Sequence, residues 1–390
     1  MTARRKPAAE PGGEVQLTAE DLRAVLAAAN QGAERKATVP ILANVLIAAT
    51  GGRLTVTGTD MEIHVTASTD ADGDLSPATV NAERLMGLVA SADSAETATL
   101  TMDCDGDALI LRIGSLRARL MTLPVEDFPS VTRKRGKAWE VDAAELRRLL
   151  TRPAHAISTE TARYYLNGIY LHLRQDGATR ILAGSATDGH RLFVALADAR
   201  ASAAAPADMP GMIVPRATCG ALAALLEGEA TGAAVEVTAT DNLLSVAGRD
   251  WQMDSKLIDG QFPEYDRVIP APGGTVLHVP APGTLAKHIT TVSIMGEGKA
   301  KPVRLGAAED GLGVTLQGAS LDAGEATIDL SDTVAVWEAP GGPPLSIQAR
   351  YLRDLCAALP NGFRAQIKAS DTPALIQEDD AIAVLMPMRV

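Results

Sequence analysis

The segment Asp142–Leu150, with the sequence DAAELRRLL, carries the pattern on which the predicted fold rests. Its apolar residues recur at helical spacing, and two arginines lie beside them. Similar short segments start about 60 to 75 residues apart, which is typical of a repeated structural unit. These further segments are Ala19–Asn30, Ala82–Ala92, Arg216–Leu226, Pro282–Ile294 and Ala349–Leu359. The sequence therefore predicts one helix-plus-sheet module that is used six times.

The segments between these helices predict strands and turns. They are short alternating or apolar runs that Gly, Asp and Pro interrupt. Thr18 is predicted to cap the first helix, and Asp103–Asp107 is predicted to be a hairpin turn. The strands predicted in the first two modules are Pro40–Ile47, Leu54–Asp60, Thr97–Met102, Ala108–Ile113 and Leu116–Leu123.

Composition restricts the class of protein. The chain has 390 residues and a formal net charge of −12, so it is not a generally adhesive nucleic-acid binder, although cations can still gather on one surface. Its three cysteines have no CxxC spacing, which favours a reducing compartment without disulfides or metal. No apolar run approaches the roughly 18 residues that span a bilayer. We therefore expect a cytoplasmic protein without membrane contact.

Two linkers predict three domains. Pro124–Lys137 is rich in Pro, Gly and cations, and Asp259–Pro270 contains Pro263 and ends at Pro270. We predict a disordered extension over residues 1–14 and domains over residues 15–136, 137–264 and 265–390, each of two modules. The cationic run Arg133–Arg135 is typical of a solvated loop and binds nucleic acid only when such charges cluster on one face.

One polar cluster could carry chemistry. Asp188 and His190 could act as a general base pair, with Ser185 as nucleophile, in a hydrolase. However, Asp188-Gly189 lies between strand-like flanks, and Asp-Gly is a strong hairpin signal. No GxSxG, P-loop or HExxH motif is present, and the histidines never pair at metal-ligand spacing. The hairpin interpretation is favoured over catalysis, and no cofactor or metal is predicted.

The C-terminus is unusually apolar. Val384–Met388 forms an apolar run at the end of the chain, where residues are usually polar and frayed. Methionine adapts to varied apolar partners, so the run could form a binding surface. Alternatively, it could be the last core strand, with Pro387 at its edge.

Several motifs in all three predicted domains resemble those of the bacterial DNA polymerase III beta subunit family, the sliding clamps. The resemblance covers the chain from about Val15 to its end. The matching segments are Thr38–Asn44, Thr57–Glu62, Arg163–Gly168, Ala186–Leu192, Asp259–Tyr265 and Met386–Arg389. The resemblance implies an α+β clamp fold of three similar domains. It also implies a head-to-tail homodimeric ring around duplex DNA, with helices inside and sheets outside.

The module count supports a dimer independently. Helices pack about 8–10 Å apart and are about 10 Å thick, so six of them would enclose a hole of only about 7 Å. Twelve helices give a hole of about 24 Å, enough for a duplex whose grooves are each about 8 Å deep. One chain cannot encircle DNA, whereas two can.

A ring holds DNA topologically, so it needs few phosphate contacts and can be acidic overall. Helix cations can face the hole, although such cations are commonly just solvated, and acids share the same helices. They are Arg23, Arg84, Arg147, Arg148, Arg152, Arg216, Lys287, Arg350 and Arg353. By resemblance, Lys36, Arg163, Tyr164 and Tyr165 are also predicted to contact DNA. The two tyrosines could instead pack at a strand end.

The resemblance also implies a hydrophobic cleft that binds short peptides with Leu or Phe anchors. Gln348 stands where the family often has Asn, and Ala300 stands where a bulky rim residue is expected, so partner preference could differ. The predicted cleft residues are Leu166, Thr187, Gly189, His190, Arg191, Leu192, Pro263, Arg267, Val268, Gln348, Tyr351, Val384, Leu385, Met386, Pro387 and Met388.

The same resemblance predicts the interface and the partners. Arg84, Ala118 and Leu120 of the first domain should meet Ile294 and Met295 of the third. The implied function is a non-catalytic processivity factor. Its implied partners are double-stranded DNA, the polymerase III alpha subunit, the 3'-5' exonuclease-containing polymerase complex, the clamp loader and other proteins with clamp-binding motifs. A paralogue that serves a specialised, plasmid or repair polymerase is the alternative.

Overall fold

A computed structural model describes residues 13–34, 38–130, 136–298, 301–320 and 324–388. These residues form two compact units. Unit 1 comprises the described residues up to Arg147 together with Gly220–Leu257, and unit 2 comprises Arg148–Cys219 and the described residues from Ile258 onward.

Within the described ranges the chain forms seven α-helices. They are α1 (Ala19–Ala29), α2 (Ala82–Ala90), α3 (Ala143–Thr151), α4 (Ala199–Ala204), α5 (Arg216–Glu227), α6 (Pro282–Val292) and α7 (Ala349–Ala358).

The strands of the described residues are short and all pair antiparallel. They are β1 (Glu14–Thr18), β2 (Asn44–Thr50), β3 (Arg53–Thr59), β4 (Ile63–Asp70), β5 (Asp72–Gly73), β6 (Leu75–Asn81), β7 (Thr97–Met102), β8 (Ala108–Ile113), β9 (Leu116–Met121), β10 (Lys137–Asp142), β11 (Gly168–Asp176), β12 (Thr179–Thr187), β13 (Arg191–Leu196), β14 (Met212–Pro215), β15 (Ala234–Ala239), β16 (Leu243–Ala247), β17 (Trp251–Lys256), β18 (Thr275–Val279), β19 (Pro302–Ala307), β20 (Val314–Ser320), β21 (Gly324–Leu330), β22 (Val336–Trp337), β23 (Leu345–Gln348), β24 (Phe363–Ile367), β25 (Ala374–Glu378) and β26 (Ala381–Leu385).

All six helices predicted from periodicity are confirmed, with ends that differ by a few residues. Thr18 caps α1 as predicted, because its side chain accepts a hydrogen bond from the Asp21 amide at 3.0 Å. Asn81 caps α2 in the same way, and Asp142 accepts from the Glu145 amide of α3 at 3.1 Å. The short helix α4 was not predicted, since its alanine-rich sequence has no apolar periodicity.

Unit 1 contains two sheets. A five-stranded sheet has the order β5-β1-β7-β8-β9, and an eight-stranded sheet has the order β10-β15-β16-β17-β4-β3-β2-β6. Helices α1 and α2 bury one face each, and Leu22, Leu26 and Leu85 are fully enclosed in the shared core. The apolar spacing of these helices therefore became the core of unit 1, as amphipathic helices require.

Unit 2 also contains two sheets. A nine-stranded sheet has the order β14-β11-β12-β13-β26-β25-β24-β18-β22, and a four-stranded sheet has the order β21-β20-β19-β23. Helices α6 and α7 pack on each other, and α6 lies on β20 and β21. In the nine-stranded sheet the last strand of the chain, β26, lies between β13 and β25.

The strand predictions were mostly correct. β7 and β8 coincide with the predicted segments and pair across the predicted turn Asp103–Asp107. The prediction of a strand over Pro40–Ile47 was wrong in its first half, because Pro40–Ala43 forms a 3₁₀ turn and the strand begins at Asn44. Proline lacks the amide that a strand interior needs, which explains the later start. β1 begins at Glu14, one residue before the predicted first domain.

A close contact between a strand and a helix end occurs three times. A Cβ atom added to Gly58, Gly184 or Gly318 would lie 2.2, 2.2 or 2.1 Å from the last carbonyl oxygens of α1, α3 and α6, respectively. No side chain fits at such a distance, so glycine is required by the approach of two backbones. The recurrence shows that the modules share a packing detail as well as a sequence pattern.

Replacing Gly184 by Ala should lower the free energy of unfolding by about 1–3 kcal/mol, because the new methyl group collides with the Leu149 carbonyl oxygen, a backbone atom with little freedom to move. Gly220→Ala in α5 is the matched control, since nothing lies within 4 Å of the added Cβ. Alanine favours helix there by about 0.5–1 kcal/mol. Urea denaturation measures both, and equal stability of the two variants would contradict the contact.

Candidate functional site

The turn Thr187–Arg191 joins β12 to β13 and is held by side-chain hydrogen bonds. The Thr187 hydroxyl donates to the Arg191 carbonyl at 2.7 Å and accepts from the Gly189 amide at 3.1 Å. The Asp188 carboxylate accepts from the amides of His190 and Arg191 at 2.9 and 3.1 Å. Gly189 has φ +89°, a region that suits glycine. The hairpin predicted at Asp188-Gly189 is confirmed, and it exposes His190.

The same turn recurs in unit 1 between β3 and β4. Thr59 donates to the Ile63 carbonyl at 2.8 Å, and Asp60 accepts from the amides of Glu62 and Ile63 at 2.9 and 2.6 Å. The residue at the glycine position is Met61, which is 58% exposed and has φ 75°. The backbone frame of the turn is therefore duplicated within the chain.

Arg191 ties the turn in unit 2 to α7. Its side chain is only 3% exposed and forms ion pairs with Asp188 at 3.0 Å and Asp354 at 2.8 Å. It also donates to the His155 carbonyl. The guanidinium lies 4.3 Å from the centroid of the Tyr351 ring, a cation–π contact that fixes this ring beside the turn.

The end of the chain lies against this turn. β26 pairs with β13, and beyond it the Met386 amide donates to the His190 carbonyl at 3.0 Å. The Met388 amide then donates to the Ser346 carbonyl of β23 at 2.7 Å. Of the two interpretations of the C-terminus, the core strand holds for β26, whereas Met386 is 43% exposed and lies beyond it. Arg389 lies outside the described residues.

Apolar side chains form a floor between three segments. These are the turn Thr187–Arg191, the tail Met386–Met388 after β26, and the linker Asp259–Pro270 before β18. Leu166, Leu192 and Val384 are buried in one cluster with Phe262 and Tyr265. Beside this floor, Met386 and Val268 are 43% and 59% exposed, so they release water when a ligand's apolar side chain covers them.

The linker supplies an exposed wall next to this floor. Tyr265–Val268 forms a 3₁₀ turn after the exposed Pro263. Val268 is 59% exposed, and Arg267 points into solvent, where it pairs with Glu264. The wall is thus apolar and cationic on one short segment.

Beyond Met386 the tail borders a cavity of about 620 Å³. Its walls include Met386–Met388, Ser346 and Arg304. Gln348 ends β23 two residues after Ser346 and is half-buried, like Tyr351 on α7. The tail therefore lines a cavity whose other walls come chiefly from β19, β20 and β23.

The predicted cleft residues all lie in unit 2, where Leu166, Leu192 and Val384 share one cluster, whereas Leu385 lies in a different core cluster with Leu277, Leu352 and Ile376. They come from the turn, β13, the linker, the β23–α7 junction and the tail. Sequence reasoning missed residues that only support these side chains, chiefly Asp354, His155, Phe262 and Tyr265. Phe262 and Tyr265 stood within the quoted motif Asp259–Tyr265, so the signal was present without a role attached.

Two buried histidines lie under the site. Burial, and next the Arg191 charge, lowers the pKa of His155 to about 4. Burial likewise lowers the pKa of His172 to about 4. Both imidazoles are therefore neutral at pH 7, and their contribution to stability is lost as the pH falls from about 6.5 through about 4.

The hydrolase alternative is wrong. Ser185 is fully buried within β12, and the Asp188 carboxylate is engaged by Arg191 and by turn amides. A nucleophile must be reachable by substrate, and a base must be free to accept its proton. The three residues therefore assemble no catalytic group.

The predicted DNA-contact loop is partly packed. Tyr164 is 54% exposed, whereas Tyr165 packs on the floor cluster, and their rings meet edge to face at 5.9 Å. Arg163 forms an ion pair with Glu160 at 2.9 Å. Lys36 lies outside the described residues, as do Ala300 and the run Arg133–Arg135.

Several helix arginines hold the fold together. Arg23 donates to two carbonyls at the end of α2, and Arg147 donates to the Ala223 carbonyl of α5 at 3.2 Å. Arg148 and Arg152 both pair with Asp380, at 3.3 and 2.5 Å. Cations at helix C-termini stabilise the helix dipole.

The remaining helix cations divide into engaged and exposed side chains. Arg216 donates to the Ile157 carbonyl at 2.7 Å, and Arg350 lies 3.6 Å from Asp354. Arg84, Lys287 and Arg353 are also exposed helix cations.

The predicted interface residues differ in exposure. Ala118 is half-buried and Leu120 is buried on β9, the last strand of the five-stranded sheet. Ile294 is 73% exposed just after α6, Met295 is half-buried, and Arg84 is exposed.

A search of the described residues finds no cluster of three metal-ligating side chains. Within the same residues, no helix has the length and apolar content to cross a membrane. All three cysteines are free thiols.

Comparisons with known proteins agree with this architecture. Family models of the DNA polymerase III beta subunit match at residues 14–132 for the N-terminal domain and 140–264 for the central domain. The beta sliding clamp of Caulobacter vibrioides is 34% identical and matches 92% of this chain and 94% of its own. That of Pseudomonas putida is 31% identical with the same coverage.

Solved structures give the same result. A crystal structure of the Caulobacter crescentus beta sliding clamp has a TM-score of 0.87 at 30% identity, covering 98% of this chain and 100% of that one. The Bartonella birtlesii sliding clamp, solved bound to griselimycin, has a TM-score of 0.85 at 31% identity, covering 97% and 100%.

The fold is that of a DNA clamp, as predicted. The chain belongs to the family of DNA polymerase III beta subunits, the beta sliding clamps. It is accordingly a sliding clamp of DNA polymerase III, a processivity factor without catalytic activity.

Replacing Arg191 by Met should lower the free energy of unfolding by about 3 kcal/mol, because two half-enclosed carboxylates, Asp188 and Asp354, lose their counter-charge. The control Arg350→Met removes an arginine that meets the same Asp354 at 3.6 Å but is 66% exposed. That change should stay within about 0.5 kcal/mol. Chemical denaturation distinguishes them, and equal effects would show that burial of Arg191 is energetically unimportant.

Proposed function

We propose that two copies of this chain join head to tail into a closed ring around duplex DNA, with three clamp domains per copy at residues 15–136, 137–264 and 265–390. Family membership supports the ring, and the thrice-repeated glycine contact supports three equivalent domains. Twelve module helices enclose a hole of about 24 Å, whereas six do not admit a duplex.

One predicted edge of the interface is β9, which has a cationic outer row. Arg117 and Arg119 are exposed and alternate with the less exposed Leu116, Ala118 and Leu120. Asp103 and Asp107 neutralise Arg119 at 2.6 and 2.7 Å.

Arg117 stands in a less favourable place than Arg119. It lies directly opposite Arg112 of β8, and like charges at opposed positions destabilise a sheet. An acidic partner strand would offset this repulsion.

We place the other edge of the interface at β21, which is the first strand of the four-stranded sheet and has an acidic outer row. Glu325 and Asp329 are exposed and alternate with the half-buried Ala326 and Ile328. Its alternation matches that of β9 with opposite charge, so the two edges can pair as antiparallel strands of neighbouring copies. Ile294, exposed after α6, can then cover the apolar row.

We propose that the cleft in unit 2 binds short peptide motifs of the polymerase III alpha subunit, the clamp loader and other replication proteins. The apolar floor suits Leu or Phe anchors, and the turn and tail offer polar backbone groups. These partners act on DNA, so we place the protein in the cytoplasm. Exposed Arg84, Lys287 and Arg353 are proposed to meet DNA phosphates transiently.

Reversing the charge of Arg112 and Arg117 to Glu should weaken the dimer, because acidic rows would then face each other. Reversing Glu325 and Asp329 to Arg should do the same, whereas the chain with all four changes should dimerise again. Sedimentation velocity at micromolar concentration measures this. Arg249→Glu, an exposed change between β16 and β17, is the control. A wild-type monomer, or dimers of both reversed variants, would contradict the edge pairing.

Deletion of residues 386–390 should leave the thermal unfolding midpoint nearly unchanged and abolish peptide binding, because Met386–Met388 follow the last strand and line the cavity next to it. Fluorescence anisotropy with a labelled peptide that carries Leu and Phe anchors measures affinity. Leu312→Ala, which trims a 40% exposed side chain on the turn before β20, is the control and should bind normally. Retained affinity of the deletion would refute the cleft.

A further inference from the structure

The linker that walls the cleft has little backbone attachment to the sheet. At its start the Ile258 amide donates to the Ile213 carbonyl at 3.0 Å. The backbone amides of Tyr265, Arg267 and Ile269 donate their hydrogen bonds to carbonyls within the linker itself. Side chains must therefore hold this wall in place.

Three side chains on β11 contact the linker. Tyr170, His172 and Arg174 occupy alternate positions and so share one face of the strand. The Tyr170 ring stacks on Phe262 at 4.9 Å, and Arg174 pairs with Asp266 at 2.9 Å.

The middle one of these three contacts, at His172, is a buried hydrogen bond. The Tyr265 hydroxyl lies 2.9 Å from the His172 imidazole Nε2, and the two rings meet edge to face at 5.6 Å. Tyr265 is 5% exposed and His172 is 9% exposed, so water does not compete for the bond. The Tyr170 ring stacks on the other side of the imidazole at 4.2 Å.

The pKa values of the two side chains agree with a hydrogen bond that Tyr265 donates to His172. Burial raises the pKa of Tyr265 to about 12 and lowers the pKa of His172 to about 4. At pH 7 the phenol therefore donates and the neutral imidazole accepts. The second ring nitrogen lies 3.2 Å from the Tyr170 carbonyl, to which it can donate.

We propose that Tyr265 and His172 are positioning residues for the cleft: their hydrogen bond holds the 3₁₀ turn Tyr265–Val268 so that Val268 and Arg267 face an incoming peptide. The proposal rests on the peptide-binding function proposed above. Neither residue needs to contact the peptide, since Tyr265 lies beneath the wall that it supports.

Loss of the Tyr265–His172 hydrogen bond should lower peptide affinity, because the wall would then be less ordered before the peptide binds. A wall that is already fixed costs no ordering entropy when the peptide binds, whereas a loosened wall must be ordered in the complex. Tyr265→Phe keeps the ring in the cluster and removes only the donor. We expect the peptide dissociation constant to rise about three- to tenfold, which corresponds to one lost buried hydrogen bond, chiefly through faster dissociation.

The test uses the full chain in four forms: wild type, Tyr265→Phe, His172→Leu and the double variant. Anisotropy gives peptide affinity, stopped-flow gives dissociation, and amide hydrogen exchange reports on the amides of residues 264–268. Each single variant should weaken binding, and the double variant should be no weaker than either one, because both changes remove the same bond. Exchange in the turn should rise in all three.

Tyr170→Phe is the matched control, because it keeps the ring that stacks on Phe262 and His172 and removes only a hydroxyl that takes no part in the Tyr265–His172 hydrogen bond. It should leave peptide affinity unchanged even if its melting temperature falls as much as that of Tyr265→Phe. Equal losses in both variants would indicate general destabilisation and overturn the proposal. Normal affinity and normal exchange in Tyr265→Phe would overturn it as well.

Failure of the proposed function gives a different result. If wild type binds no peptide, the cleft assignment fails, and exchange in residues 264–268 still decides whether the pair holds the turn. If Tyr265→Phe does not fold, His172→Leu, which removes the acceptor from the other side, carries the same two outcomes.

Discussion

Antiparallel pairing between β13 and β26 is the constraint on which the rest of unit 2 depends. It sets Leu192 opposite Val384, which makes a continuous apolar floor, and it brings the Met386 amide to the His190 carbonyl. A slip of one residue would turn the floor side chains to the opposite face of the sheet. The Arg191 ion pairs with Asp188 and Asp354 then tie the turn to α7.

The turn is duplicated within the chain, and the differences between its two copies explain why the candidate site lies in unit 2. The unit 1 turn after β3 has the same hydrogen-bond frame, and the Lys256 amide donates to the Glu62 carbonyl there as Met386 does to His190. Beside that turn, however, the opposed residues of β4 and β17 are His64 and Asp254. Polar side chains at these positions give an apolar anchor no favourable contact. The backbone frame is shared, and the side chains of the floor differ.

The sequence alone predicted the repeated helices and the hairpin at Asp188-Gly189, because periodicity and turn chemistry act over a few residues. Motif resemblance placed the cleft residues, although no local rule places Leu166 beside Val384. The supporting contacts of Tyr265 and Asp354 escaped prediction, since each depends on a partner far away in the chain. The same reason explains why Arg147 and Arg148, expected to face DNA, are engaged by the Ala223 carbonyl and by an acidic turn.

The acidic charge of the chain is compatible with the proposed ring, because a protein that surrounds the duplex needs no strong grip on phosphates. The most direct measurement loads the protein with a clamp loader onto a nicked circular plasmid and follows its retention during gel filtration at high salt. The account predicts that the protein stays with the circle and is lost after a single cut linearises it. Equal retention on circular and linear DNA would contradict the ring.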